Sequence, residues 1–217
     1  MSPPELRVVD DLPGAAVEQF LEASPRTVAL TGGSTPEPVY ERLAEISYPW
    51  EEVEVFFGDE RCVPSDHPDS NYGMAKRALL DHVNARVHPM YECDPEAYER
   101  ELRGVFGEGI PRFDLIHLGM GPDGHVASLF PGKPALDVED KLVVYVPEPG
   151  LPPPHPRMTL TLPVLRAAKI VTFLVSGEDK RERVRQILDG EDIPAAKVTA
   201  ERVIILADPA AAEGLAD

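Results

Sequence analysis

The run Gly119-Met-Gly-Pro-Asp-Gly-His-Val-Ala-Ser-Leu-Phe-Pro131 places a carboxylate and an imidazole, Asp123 and His125, one residue apart in a stretch opened by three glycines. A carboxylate so placed can hold the imidazole in one tautomer, and histidine accepts a proton near neutral pH, so the pair suits general-base chemistry. The competing reading is a glycine-rich turn in which Asp123 caps a short helix over Val126–Leu129 and His125 faces solvent.

Two other loops carry chemically loaded residues. Gly32-Gly-Ser-Thr-Pro36 joins an apolar strand to a helix that Pro36 can begin. Its glycines allow close approach of backbone to ligand, Ser34 and Thr35 offer hydroxyls, and the helix start offers free N–H groups, which together outline a phosphate cradle. The plainer alternative is a turn capped by Ser34 or Thr35. This loop is not a nucleotide P-loop, since no Gly-Lys-Ser/Thr follows at the required spacing, and it lacks the Gly-x-Gly-x-x-Gly dinucleotide pattern. Gly58-Asp-Glu-Arg61 reads as a loop after an apolar strand, in which the acids would orient Arg61 as a bidentate donor to a phosphate or carboxylate. A solvated charged turn is the alternative, and His67 nearby reads either as a ligand or base or, more plainly, as a surface loop histidine. Arg157, at a strand start after a proline-rich loop, and Lys180, just past Ile170–Val175, add two cations beside other strand ends; each alone reads as a surface charge.

These loops need a scaffold that brings strand ends together. Strand-length apolar runs occur at Thr27–Leu30, Val53–Phe57, Phe113–Leu118, Leu142–Val146, Ile170–Val175 and Val203–Leu206. Helical patterns lie between them at Pro36–Ile46, Tyr72–Val83, Pro95–Phe106, Lys180–Leu188 and Pro209–Leu215. Such alternation predicts an α/β fold with a mostly parallel sheet covered on both faces, where ligands bind beyond the carboxyl ends of the strands. Pro147–Pro156 reads as a stiff loop within one domain spanning residues 1–217.

Composition narrows the partners. The formal net charge of −17 argues against a generic face for nucleic acid or anionic membrane, so an anionic ligand needs a local basic pocket. No apolar run approaches the ~20 residues of a membrane span, and Met1–Asp10 lacks a signal-peptide pattern, which predicts a cytoplasmic protein. Cys62 and Cys93 have no Cys-x-x-Cys spacing and are expected as free thiols. His117 alternates within an apolar strand and is expected to be structural. No His-x₃-His or mixed His/Cys cluster appears, so neither metal nor cofactor is expected, and His82, His88 and His155 have no evident partner.

In combination, Thr-Gly-Gly-Ser-Thr-Pro at 31–36, Gly-Asp-Glu-Arg at 58–61 with Ser70-Asn71, Leu118 through Pro131, Pro156-Arg-Met-Thr-Leu160 and Gly177-Glu-Asp-Lys180 resemble the 6-phosphogluconolactonase family, in the family's order. The resemblance implies a Rossmann-like three-layer α/β/α sheet shared with glucosamine-6-phosphate deaminases and ribose-5-phosphate isomerases. It also implies hydrolysis of 6-phosphoglucono-δ-lactone, the second step of the pentose phosphate pathway, by a monomer or weak homodimer. By the same resemblance His125 is the catalytic histidine and Asp123 its neighbour, while Gly33, Ser34, Arg61, Arg157 and Lys180 line the phosphate and sugar pocket. Thr35, Asp59, Asn71 and Gly121, inside the same motifs, are counted with the substrate-binding residues.

Amino-sugar-phosphate deaminases look similar at the Asp-Gly-His loop, but typically continue with Phe-Asn-Glu-Pro and carry Tyr after Asp-Glu. Here Ser128-Leu-Phe-Pro131 lacks that carboxylate and Arg61 follows Glu60. A non-catalytic sugar-phosphate sensor would need an added effector segment, for which this chain has neither length nor basic charge.

Overall fold

The structure is a computed structural model and describes residues 3–215; Met1 and Ser2 of the N-terminal run read above lie outside it. In chain order the strands are β1 (Glu5–Val8), β2 (Thr27–Leu30), β3 (Glu54–Phe57), β4 (Asp59–Arg61), β5 (Arg86–Val87), β6 (Leu115–Leu118), β7 (Val143–Val146), β8 (Arg157–Leu160), β9 (Ile170–Val175) and β10 (Arg202–Ala207). The α-helices are α1 (Leu12–Ala23), α2 (Glu37–Glu45), α3 (Asn71–Ala75), α4 (Pro95–Phe106), α5 (Leu162–Ala167), α6 (Arg181–Asp189) and α7 (Pro209–Ala212). No helix among the described residues is long and apolar enough to cross a membrane.

Seven strands form one parallel sheet in the order β1-β10-β9-β6-β2-β3-β5, with helices packed on it in a three-layer α/β arrangement. The central strands are apolar runs buried on both faces, as a covered parallel sheet requires. From β2 the chain works outward through β3 and β5, then returns to lay β6 on the other side of β2 and works outward again through β9 and β10. β2 and β6 therefore flank the topological switch point, where their following loops diverge and leave a crevice.

A second, antiparallel sheet, β4-β8-β7, departs from the expected arrangement. Leu142–Val146 was expected in the parallel sheet; β7 instead pairs with β8. Gly58–Arg61 was expected as a loop, and residues 59–61 are strand β4. After Gly58 the chain leaves the parallel sheet and finds new partners: Leu160 N donates to the Gly58 carbonyl at 2.8 Å, and Arg61 comes opposite Arg157. The predicted helix Tyr72–Val83 is α3 running into a π-helical turn at Lys76–Leu80. Cys62 and Cys93, expected free, are joined as a disulfide with Cα atoms 5.4 Å apart; the strand ends bring together residues 31 apart in sequence.

His117 on β6 is fully buried, its ring stacked on Tyr40 at 6.1 Å, with neither ring nitrogen hydrogen-bonded. Burial pushes its pKa down to about 4. Because the folded value lies below the unfolded one of about 6.5, this residue's contribution is present above pH 6.5 and lost as pH falls toward 4. Native stability should drop by about 3 kcal/mol over that window from this group alone. Urea melts at pH 7 and pH 5 check the loss, which should shrink in His117→Leu; an NMR titration showing the wild-type ring charged at pH 6 would contradict it.

Candidate active site

The cleft at the switch point encloses about 240 Å³ and draws its walls from the loops after β2, β6 and β9 and from the second sheet. The loop after β2 brings Gly33, Ser34 and Thr35 to its edge. Gly33 has φ +109°, a left-handed conformation that favours glycine. Neither Ser34 nor Thr35 caps α2: Pro36 is the N-cap residue, no side-chain cap bond forms, and both residues line the cleft.

The loop after β6 holds the paired Asp123 and His125. Asp123 Oδ1 accepts from the His125 backbone N–H at 3.1 Å and lies 2.6 Å from His125 Nδ1. Val126–Leu129 is a tight turn with no helix to cap, which removes the alternative role for Asp123. The bond to the carboxylate places the ring proton on Nδ1 and leaves the Nε2 lone pair as the proton acceptor. The His125 ring packs on Phe130 at 4.4 Å and lines the cleft. Asp123 supports the ring from behind and does not itself line the cleft.

Gly121 is part of the same mechanical arrangement. A Cβ there would fall 2.0 Å from His125 Nδ1, so any side chain must displace the imidazole or the loop. Gly121→Ala should therefore lower kcat by on the order of a hundredfold, the effect of misplacing a catalytic group by about 1 Å, with little change in thermal stability. Activity within twofold of wild type would show that the ring does not need this position.

On the other wall, β4 and β8 set Arg61 directly opposite Arg157. Like charges in a cross-strand pair repel, so their retention side by side suits an anion between them. Arg157 is nearly buried, with its guanidinium 5.4 Å over the Phe130 ring and its Nη2 donating to the Pro153 carbonyl at 3.2 Å. Burial pushes its pKa down, opposed chiefly by Asp59. Arg61 Nη1 donates to the Asp69 carbonyl at 2.8 Å. The Nε atoms of both arginines are buried without a partner.

The acids of this motif do something other than expected. Neither Asp59 nor Glu60 pairs with the Arg61 guanidinium. Glu60 accepts from Arg61 N, Ser70 Oγ, Asn71 N and Tyr72 N at 2.7–3.0 Å, tying β4 to the start of α3. Burial pushes its carboxyl up, against these four donors. Asp59 accepts from Ser128 Oγ at 2.6 Å and from Asn71 Nδ2 at 3.2 Å, so it links the histidine loop to α3. Asp59 and Asn71 both line the cleft. Asn71 in turn explains Gly32, where a Cβ would meet Asn71 Oδ1 at 1.8 Å.

Lys180 ends a 3-10 turn after β9 and reaches the cleft, with Nζ donating to Asp179 Oδ2 at 2.7 Å. Every substrate-binding residue named from the sequence thus lines one cleft. Ala127 and Ser176 also line it and were not anticipated. Ala127 adopts φ +47°, which a sequence pattern does not signal for a non-glycine residue.

The pattern of the glucosamine-6-phosphate isomerase/6-phosphogluconolactonase family matches residues 7–206. The chain belongs to this family. A 6-phosphogluconolactonase of Synechocystis sp. is 44% identical over 206 residues, covering 87% of this chain and 84% of that protein. The crystal structure of 6-phosphogluconolactonase from Thermotoga maritima superposes with a TM-score of 0.85 at 34% identity, covering 94% of this chain and 99% of that one. A monomeric glucosamine-6-phosphate deaminase shares the fold at TM-score 0.77 and 22% identity, covering 96% and 98% of the two chains. Family membership accords with the three-layer sheet and with the placement of the cleft at its switch point.

Proposed function

We propose that the cleft hydrolyses 6-phosphoglucono-δ-lactone to 6-phosphogluconate with His125 as the general base. Hydrolase activity of the 6-phosphogluconolactonase kind is supported by the curated relatives that carry that name and by solved structures at 30% identity or more. The observation that carries the chemistry is the Asp123–His125 bond of 2.6 Å at one wall of a cleft whose other wall is lined by Arg61 and Arg157.

In this reading the phosphate lies among the Gly33–Thr35 loop, Arg61, Arg157 and Lys180, an arrangement of backbone N–H groups and cations suited to a dianion. Anchoring the phosphate at a distance from the reacting carbon fixes C1 near His125 and lowers the entropic part of the barrier. Nε2 takes a proton from water as the water oxygen bonds to C1. The tetrahedral intermediate then collapses, the C1–O5 bond breaks, and O5 leaves with the proton that Nε2 returns. Asp123 keeps the imidazole in the working tautomer and stabilises its transient positive charge. An activated ester needs no covalent nucleophile, and general-base help is worth roughly 10²–10⁴ in rate.

Comparing hydrolysis of 6-phosphogluconolactone with ammonia release from glucosamine 6-phosphate tests this assignment. Rapid lactone hydrolysis without ammonia is expected, because Ser128-Leu-Phe-Pro131 supplies no carboxylate for the deaminase proton transfers. Ammonia release, or inertness toward both compounds, would overturn it.

A further inference from the structure

Beside the cleft, but outside its lining, three potential metal donors converge from two distant loops. His67 and Asp69 belong to the segment between β4 and α3, and His155 to the proline-rich segment before β8. His155 Nε2 lies 3.0 Å from Asp69 Oδ2, and His67 Nδ1 lies 3.8 Å from that same oxygen. One donor atom from each residue falls within 4.8 Å of the others, and this is the only such trio among the described residues. The imidazole rings meet edge to face at 5.2 Å.

We propose that His67, Asp69 and His155 form a binding site for a divalent transition-metal ion of the zinc type. Two imidazoles and one carboxylate are the donor set of a three-ligand zinc site with an open fourth position. At bond lengths of about 2.0–2.1 Å, tetrahedral donors stand roughly 3.3–3.4 Å apart; the two His–Asp distances of 3.0 and 3.8 Å bracket that spacing, and side-chain rotation must bring the two imidazole donors, within 4.8 Å of each other, to it. A hard ion such as Mg²⁺ or Ca²⁺ would want more oxygen donors than this trio offers.

The surroundings make the site stiff and reachable. His155 lies between Pro154 and Pro156, which restrict its backbone. His67 closes a turn in which its N–H donates to the Pro64 carbonyl and its carbonyl accepts from Ser70 N, each at 3.0 Å. All three side chains are about one-third exposed, so an ion can enter. Binding would exchange two existing bonds: His67 Nδ1 now accepts from Asp69 N at 3.1 Å, and His155 Nε2 is hydrogen-bonded to Asp69 Oδ2 at 3.0 Å. The Asp69 carbonyl also receives the Arg61 guanidinium, so an ion here would brace the loop that fixes one cleft arginine. This site is independent of the proposed lactone chemistry.

The full chain, stripped with chelator and titrated with Zn²⁺ at pH 7.5 by calorimetry, should bind one ion. Cobalt(II) at the same site should give the visible absorption of a four-coordinate centre. His155→Ala and Asp69→Asn should each weaken binding at least tenfold, whereas His88→Ala, which removes a histidine flanked by Glu54 and Glu101 elsewhere, should leave it unchanged. Absence of binding to the wild-type chain would overturn the proposal. So would equal affinity in wild type, His155→Ala and Asp69→Asn, with circular dichroism showing each variant folded.

Discussion

His125→Ala should lower kcat for 6-phosphogluconolactone hydrolysis by on the order of 10²–10⁴ while leaving the affinity for 6-phosphogluconate within a few-fold of wild type. The split follows from what the imidazole touches. Its Nδ1 is engaged by Asp123, its face rests on Phe130, and none of the cations assigned to the phosphate depends on it. Removing it deletes the proton acceptor but leaves the anchor. The fold should tolerate the change, since His125 lies at the cleft surface and Asp123 is partly exposed, so the carboxylate left behind can be hydrated. Steady-state hydrolysis corrected for spontaneous lactone opening, together with calorimetry of product binding, measures both halves. A kcat near wild type would remove His125 from the mechanism, and a matching loss of affinity would make it a binding residue. Asp123→Asn should lower kcat as well, because an amide can donate to Nδ1 and so stabilise the wrong tautomer.

Arg61→Ala and Lys180→Ala should act on the other term. Each removes a charged donor expected to contact the phosphate, and hydrogen bonds to charged groups contribute about 1.5–3 kcal/mol, so KM should rise roughly 10–150-fold per substitution with a smaller change in kcat. The diagnostic control is the unphosphorylated glucono-lactone, whose hydrolysis should be nearly indifferent to both changes. Equal losses on the two substrates would mean that these cations orient the sugar or support the loop and do not hold the phosphate. For Arg61 that outcome has a concrete structural source, its bond to the Asp69 carbonyl, so a circular dichroism melt belongs with the kinetics.

Much of this arrangement was legible in the sequence because the relevant signals are local. β2 and β9 are apolar runs with bounds read directly from the chain, and α4 is framed by Asp94 as its cap and Gly107 after its last turn. The Asp123–His125 pair lies within a single loop, so spacing alone suggests it. The rest depends on partners that spacing does not reveal. β1 is a polar edge strand, Glu-Leu-Arg-Val, and α1 contains Pro13 and Gly14, which mask its helical period. β4 has the composition of a charged turn and becomes a strand only because β8, about a hundred residues later, supplies its ladder. That pairing also explains why Glu60 turns away from Arg61: the alternation of the strand sends Glu60 to the start of α3 and leaves Arg61 facing Arg157, while Asp59, on the same face as Arg61, is engaged by Ser128 and Asn71. The Cys62–Cys93 bond and the His67–Asp69–His155 trio are long-range in the same sense, each created by loops that the two sheets bring into register.

The proposed chemistry requires one orientation of substrate, phosphate at the arginine wall and C1 at the histidine wall. A crystal structure with 6-phosphogluconate bound tests it most directly. The predicted result places the phosphate within hydrogen-bonding distance of Arg61, Arg157 or Lys180, and the C1 carboxylate about 3–3.5 Å from His125 Nε2. The reverse pose, with the carboxylate held between Arg61 and Arg157 and the phosphate beside His125, would contradict it.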